Sequence, residues 1–595
     1  MTLWRELAFG PVAQLREPRR DKRMPPAEAV RRHVRPGQLL NPCSLQTRPV
    51  ALLHEICRQF AGRDPRFGFV SSSLSGNYLQ LLELGLVRRA IQSFAGEGYP
   101  TPGPSPVVAR AQAAGLELEN WTMLTISQRL LAGAQGVGAT TTRSLVGSDL
   151  AGELEAQGLF RELPDPTDPG RRLGLIPACR PDLALVHVWA ADAAGNAVCF
   201  PPYQENVYGA LAAQQGVLLS CEQIVSTDFV RRHAHLVRIP AERVLSVSQV
   251  PYGSHPYGNY ARGVPEFQAY ANDYAFMREH RAAQEREADY AAWVREWILD
   301  VADPEAYREK LGRARFDALH AAADPESWRA ELESHAASLD EARPANAIEE
   351  MIVQGGREVA RRIESQGFRT VLSGVGQAML MAWLASHLLR DSDAEFALMA
   401  ETGMYGHDPR PADPFLLNYR NLPTTTLLTD VIEALGLHGC GGANRCLATI
   451  GAGQLDRFGN VNSSRGRDGG FLVGSGGAND IVSQAQETLV AAVQRRASFA
   501  PAVDFVTSPG ARVRCVVSTH GRFEKDPGAA HGELVLTGWF AAAGADEAAV
   551  VREIRERSGF EPRIAPRLER LAPATPAEIA WLRIYDPERS FLGRA

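Results

Sequence analysis

Phe396-Ala-Leu-Met-Ala-Glu401-Thr-Gly403 is an apolar run that ends in a carboxylate, a small residue and a glycine. Four to eight apolar residues closed by a turn signal read as a buried strand of a parallel sheet. In open α/β sheets, ligands collect just beyond the carboxyl ends of such strands. Glu401 therefore stands where a partly desolvated carboxylate can serve as nucleophile, acid or base. A solvated glutamate opening a loop is written the same way.

The pattern repeats outward from Glu401. Arg369–Ser373, Cys446–Ile450 and Arg514–Ser518 are further strand candidates in a region from about 346 to 560. Leu183–Val188, Gly216–Ser220 and Arg243–Val247 mark the same style between about 37 and 270. Strands alternating with helical patterns predict βαβ units and mainly parallel sheets. Between the two regions lies a stretch rich in Arg, Glu, Asp and Ala, with tryptophans at 293, 297 and 328. It reads as helices whose tryptophans pack rather than form a cofactor platform. The halves share a D-x-x-G-N turn, Asp192–Asn196 and Asp456–Asn460, each following a strand. Aspartate bonds neighbouring backbone there and glycine accepts positive φ. The expected fold is α/β: two tandem, open, mainly parallel domains joined by a helical segment. The expected boundaries are an N-terminal extension at 1–36, a first domain at 37–271, a connector at 272–345 and a second domain at 346–595.

Composition removes several function classes. The 595 residues, 45% hydrophobic, are enough for roughly two to four domains with sizeable cores. A net charge of −6 gives no global basic field, so no nucleic-acid partner is expected. Arginines between Arg16 and Arg35 are interrupted by Glu17, Asp21, Glu28 and several prolines, which reads as a solvated extension or packing arm. The eight cysteines show no disulfide framework, and neither a leader pattern nor a bilayer-length apolar run is present. The expectation is a cytoplasmic protein with no membrane partner. Cys440 and Cys446, near His438, lack a second pair, so buried cysteines rather than a metal site are expected. Lys22, Lys310 and Lys525 are the only lysines among 63 basic residues. No Gly-Lys-Ser/Thr exists for a P-loop, and Lys310 and Lys525 sit in charged surroundings that suggest exposure. ATP hydrolysis and pyridoxal chemistry are thereby disfavoured, and no bound cofactor is expected.

Two glycine loops could assemble around Glu401. Val371-Leu-Ser-Gly374-Val-Gly376 runs from a strand into a helix expected over Gln377–Leu389, where backbone N–H groups can approach an anion. Leu472-Val-Gly474-Ser-Gly476-Gly477-Ala-Asn479-Asp480 precedes a helix expected over Ile481–Arg495. A glutamate nucleophile without lysine, metal or Ser–His partner suits attack on an activated acyl group. Carboxylate displacing thiolate yields a mixed anhydride, and returning thiolate makes a glutamyl thioester. Glycine N–H groups can hold the oxyanion, and remote binding of a large carrier can lower the barrier.

At these residues the chain resembles the family I CoA-transferases, most closely the glutaconate CoA-transferase type. Glu401-Thr-Gly is similar to that family's E-S-G or E-N-G nucleophile motif, with Thr402 a small departure. Ser373-Gly-Val-Gly376 resembles its V-G-x-G oxyanion loop, and Gly451–Ser463 its G-G-A-Q-x-D-x-x-G-N-x-N-S/T stretch. Gly474–Asn479 matches its G-S-G-G-A-N loop, and Val503–Gly510 its V-D-Y-V-T-S-P-G segment. The first half resembles the family's other subunit through Ala184–Asn196 and Pro251–Pro256, with Asn41–Pro49 replacing the usual G-G-F loop. The resemblance implies two fused subunits, an active site between them, and coenzyme A as substrate and carrier. It implies Glu401 as nucleophile, Gly374 and Gly376 as oxyanion donors, and Gly474, Gly476, Gly477 and Asn479 as CoA contacts. The partners implied are an acyl-CoA and a carboxylic acid, with a homo-oligomer left open.

Two other readings stay open at this point. Ring-opening acyl-CoA hydrolases of steroid breakdown resemble the same subgroup but lack the equivalent glutamate. A non-catalytic acyl-CoA-binding or regulatory module is the other, because related folds host sensors. For the acid substrate, Ser73 and Arg143 are the first candidates, with Arg48, Ser71, Ser72 and His407 beside them.

Overall fold

Ala397–Ala400 is a strand with Glu401 just past its carboxyl end, inside a parallel sheet of the second half. The computed structural model describes residues 2–17, 20–43, 47–203, 206–339, 342–415, 418–442, 444–525, 532–540 and 546–593. Part of the Asn41–Pro49 loop therefore lies outside the described residues.

The first half contains strands β1 (Leu39–Pro42), β2 (Phe67–Val70), β3 (Val87–Gln92), β4 (Glu117–Asn120), β5 (Leu183–Ala191), β6 (Gly216–Ile224) and β7 (Val244–Gln249). They pair in the order β7-β6-β5-β1-β2-β3-β4, all parallel. β5 is buried along its whole length, as a central strand covered on both faces must be. A helix α1 (Tyr274–Ala283) opens the connector, and the second half follows with α2 (Ala347–Gln366). Its parallel strands are β8 (Thr370–Ser373), β9 (Ala397–Ala400), β10 (Cys446–Gly451), β11 (Glu487–Ala492) and β12 (Val513–Ser518). Their order is β9-β8-β10-β11-β12, extended beyond β12 by Gly521–Glu524, Val535–Trp539 and Arg563–Arg570. The five-strand core β2-β1-β5-β6-β7 of the first half thus has the same order. In both, the winding reverses at the first strand, which opens a ligand crevice beside it. The expected α/β architecture is present in both halves.

The two D-x-x-G-N turns match in atomic detail. Asp192 Oδ1 accepts the N–H groups of Ala194, Gly195 and Asn196, and Asp456 Oδ1 accepts those of Phe458 and Asn460. Gly195 and Gly459 take φ of +102° and +76°. Asn196 Oδ1 then holds the Ala241 N–H, and Asn460 Oδ1 holds the Gly510 N–H. Lys22 Nζ caps the Ala241 carbonyl at 2.6 Å and Lys525 Nζ caps the Gly510 carbonyl at 2.7 Å. Two of the three lysines therefore occupy corresponding positions. This corrects the expectation that Lys525 is exposed: it is buried, and burial lowers its ammonium to about 8.

One helix expectation fails. The segment Ile481–Arg495 is not a single helix: the helix Ala478–Gln484 ends early and β11 follows at Glu487. Thr488–Ala492 is an apolar run too short for periodicity to separate strand from helix. The open slot between β10 and β12 decides it, with Thr449 paired to Leu489 and Val490 to Val516.

The connector is helical, as expected, and it packs. Tyr290, Trp293, Tyr307 and Phe316 belong to one core cluster with Leu52, Phe67 and Tyr78 of the first half. Trp293 and Trp297 stand edge-on to Phe276, at 5.6 and 4.9 Å between ring centres. The extension also docks as an arm: Met24 N–H donates to Val247 O and Val247 N–H to Lys22 O, beside β7. No helix among the described residues is long and apolar enough to cross a membrane.

Candidate active site

The strand β9 delivers Glu401 into a cavity of about 200 Å³ at the junction of the halves. Ser72, Ser73 and Ser75, in the loop after β2, line it from the first half. Val375 after β8 and Thr402 after β9 line it from the second, and Tyr274, Met277 and His280 of α1 complete it. The turn after Glu401 requires glycine: Gly403 has φ +113°, and a Cβ there would lie 2.4 Å from Thr429 O.

The glycine loop before the helix Ala478–Gln484 ties the halves together around that carboxylate. Gly474 bridges Phe94, Gly476 N–H donates to Ser93 O at 2.9 Å, and Met123 N–H donates to Gly476 O at 3.0 Å. Asp480 accepts Leu124 N–H at 3.0 Å and Ser144 Oγ–H at 2.6 Å, both from the first half. Glu401 Oε2 lies 2.0 Å from where a Cβ on Gly477 would be. Only a residue without a side chain lets the carboxyl lie on the loop backbone.

Burial raises the Glu401 carboxyl to about 7, and the nearby Asp480 carboxylate adds to the shift. Burial likewise raises Asp480 to about 6, against the hydrogen bonds from Ser144 and Leu124 that favour its charge. A carboxylate with few hydrogen bonds and a like-charged neighbour is a more reactive oxygen nucleophile than one in water.

The sequence candidates divide. Glu401, Ser73, Ser72, Arg48 and Gly476 line the cavity, and Gly477 touches Glu401. Gly374 is corrected as an oxyanion donor, because its N–H is spent on Thr449 O at 2.7 Å. Gly376 has φ +104° at the start of α3 (Gln377–Leu388), beside the cavity residue Val375. No described hydrogen bond uses its N–H. The N–H groups of Gly474 and Gly476 are also committed, to Ser463 O and Ser93 O. Asn479 is fully buried, its amide accepting from Leu145 N–H and donating to Thr507 O, so it positions the loop. Arg143 does not line the cavity and donates to Cys440 O at 3.2 Å. His407 is buried away from the cavity wall, and burial lowers its imidazole to about 4. Cys440 and Cys446 are buried.

Sequence reasoning missed Glu97, Tyr99, Tyr274 and the role of Asp480. Gly96-Glu97-Gly98 follows the short strand Phe94–Ala95, the same strand–carboxylate–glycine signal that singled out Glu401. No local signal marks Tyr274, which reaches the site only because the connector packs.

Residues 23–248 match the family model described as coenzyme A transferase. The glutaconate CoA-transferase of Acidaminococcus fermentans is built from two different subunits, and this chain is similar to both. It is 25% identical over 303 residues to the first of them, covering 49% of this chain and 91% of that one. It is 40% identical over 72 residues to the second, covering 11% of this chain and 27% of that one. The first half thus matches the coenzyme A transferase family, and the chain is homologous to CoA-transferase subunits on both sides of its connector. A further CoA-transferase relative is a subunit of the 3-oxoadipate CoA-transferase of Pseudomonas knackmussii, 27% identical over 272 residues, 45% of this chain and 89% of that one. The solved acyl-CoA transferase YdiF of Escherichia coli O157:H7 shares the fold over 98% of this chain and 99% of its own, with a TM-score of 0.64 and 16% identity. As a CoA-transferase homologue the chain carries likeness to two different subunits in one polypeptide of 595 residues.

Proposed function

We propose that this protein transfers CoA from an acyl-CoA to a carboxylic acid through a thioester on Glu401. The buried position of the Glu401 carboxyl against Gly477, in a cavity between the halves, carries the reading. A Glu401 oxygen attacks the thioester carbonyl, and the tetrahedral oxyanion collapses with loss of CoA thiolate to leave an acyl-glutamyl anhydride. The thiolate then attacks the glutamyl carbonyl, releasing the first acid as its carboxylate and leaving glutamyl-CoA. The acceptor carboxylate runs the two steps in reverse and leaves as the new acyl-CoA. Preorganised N–H donors stabilise each oxyanion. The Gly376 N–H is the donor retained from the sequence candidates, and the Gly477 N–H is a second that no described hydrogen bond uses. The CoA arm enters along Gly476 and Gly477, with Asn479 and Asp480 holding that loop to the first half.

In this reading 37–271 and 346–595 are the two subunit-like domains, 272–345 is a connector that also walls the site, and 1–36 is a docking arm. Water as acceptor would make the same site a hydrolase, but the retained carboxyl nucleophile favours transfer. Incubation with acyl-CoA followed by borohydride should reduce the glutamyl thioester to an alcohol at residue 401 and inactivate the protein. If no adduct forms across a broad acyl-CoA panel while Glu401→Ala keeps thioesterase activity, transfer through Glu401 is excluded.

A further inference from the structure

The cavity that holds Glu401 has a second carboxyl on its wall. Glu97 is 5% exposed, and its Oε1 has no hydrogen-bond partner. Reciprocal bonds between the Glu97 and Gly103 backbones, at 2.8 and 3.0 Å, pin its loop. A buried acceptor left unmatched is costly, and a site keeps one where a ligand supplies the donor. Burial raises the Glu97 carboxyl, with Arg281, Ser105 and Gln284 drawing it back. Protonated or charged, its carbonyl-type oxygen still accepts.

The rest of the wall narrows the ligand. Arg48 is committed: its guanidinium lies over Tyr78 and Tyr257, 4.6 and 4.3 Å from the ring centres, and it donates to Ser75 O at 2.8 Å. No other arginine or lysine lines the cavity among the described residues. A second carboxylate on a substrate would therefore meet Glu97 and no uncommitted cation. Tyr99 stacks on Tyr274 at 4.2 Å and Phe415 stands edge-on to Tyr99 at 5.4 Å, making one side a rigid aromatic surface. An apolar cavity of about 150 Å³ holds benzene, so 200 Å³ holds a ring with a short chain.

We propose that the acyl group handled here is a largely apolar, ring-bearing monocarboxylic acid with a hydroxyl remote from its carboxyl, and that Glu97 accepts the hydrogen bond from that hydroxyl. This rests on the CoA-transfer reading and adds its substrate class. The test compares phenylpropanoyl-CoA, its meta- and para-hydroxylated forms and glutaryl-CoA as donors to acetate. One hydroxylated form should exceed the plain one by about tenfold or more in kcat/KM, the discrimination expected when a buried acceptor goes unmatched. Glutaryl-CoA should be the poorest. Glu97→Leu should collapse the hydroxyl preference to within about twofold, and Glu97→Gln, which keeps a carbonyl oxygen, should retain it. Binding of the matching thioether analogues, read by calorimetry in wild type and in Glu401→Gln, should show the same order without turnover. Equal use of plain and hydroxylated forms, preference for glutaryl-CoA, or a preference that survives Glu97→Leu overturns the proposal. Failure of Glu401→Gln to abolish turnover overturns the transfer reading instead, with the binding order still deciding Glu97.

Discussion

Glu401 Oε2 occupies the space that a side chain on Gly477 would need, 2.0 Å from its ideal Cβ position. The proposed nucleophile and the loop that closes the halves are thus in direct contact. A methyl group there must push the carboxyl out of its seat. Displacing a reacting group by about 1 Å costs on the order of a hundredfold in rate. Gly477→Ala should therefore lower kcat by about that factor with a small change in thermal stability, because the Gly477 φ of −89° suits alanine. Steady-state kinetics beside a melting curve checks it, and near-wild-type kcat would show that Glu401 is not held there during catalysis.

The rate should follow the ionisation of Glu401. In the proposed mechanism only the carboxylate attacks, and burial with Asp480 raises the group to about 7. The kcat/KM profile should climb with pH and level off above about pH 7. Asp480→Asn removes the like charge, which favours the ionised nucleophile and moves the limb to lower pH. It also leaves one acceptor oxygen where the Leu124 N–H and the Ser144 hydroxyl now use two, so stability falls while the limb still reports the charge. An unmoved limb would mean that Asp480 does not act on Glu401.

The same shift has a sign in stability. A carboxyl whose folded value lies above its unfolded value of 4.5 disfavours the fold once it must ionise. The stabilising proton is present below about pH 4.5 and is lost as pH rises through 7. Glu401→Gln should thus stabilise the protein at pH 8, by about 1–3 kcal/mol after discounting for contact with the open cavity. The gain should vanish near pH 4.5. Denaturant titrations at the two pH values measure it, and an equal gain at both would place its cause elsewhere.

Much of this arrangement is written locally, and the rest is not. The Ala397–Gly403 run signals both its strand and its terminal carboxylate, because period, turn and position agree. The Asp192 and Asp456 turns announce the duplication for the same reason. The Thr488–Ala492 strand is illegible, since its type depends on an empty slot between two distant strands. The committed N–H of Gly374 and the spent amide of Asn479 are equally invisible in a glycine-loop motif. Which amide faces a ligand is decided by partners such as Thr449 and Leu145, far away in sequence. Glu97 and Tyr274 meet Glu401 only through the packing of three segments.

Arg362 holds the second half's sheet to its long helix. On α2, it pairs with Glu358 at 2.6 Å, with Glu524 at 3.2 Å and with Glu487 on β11. The residue is buried, and its guanidinium is held even more strongly charged by these carboxylates despite burial. Arg362→Met leaves Glu358, Glu487 and Glu524 facing one another without that cation. Breaking a buried ion network from one side costs about 3–5 kcal/mol. Chemical denaturation should show that loss, and a change under about 1 kcal/mol would mean that the carboxylates find other partners or protonate.

The duplicated turns give a paired test of the two domains. Gly195 has φ +102° with its Cβ position 2.7 Å from a Val244 side-chain carbon, and Gly459 has φ +76° with 3.1 Å to Val513. Alanine at either must take a left-handed conformation against the first residue of β7 or β12. Such strain costs on the order of 1–3 kcal/mol, and the closer approach makes Gly195→Ala the worse of the two. Hydrogen exchange resolved along the chain should show Gly195→Ala loosening β5 to β7 and Gly459→Ala loosening β10 to β12. Each change should stay within its own half if the halves are separate folding units joined through Asn479 and Asp480. Equal loosening of both sheets by either substitution would instead make the chain one cooperative unit, with the seam at Asp480 as strong as the cores it joins.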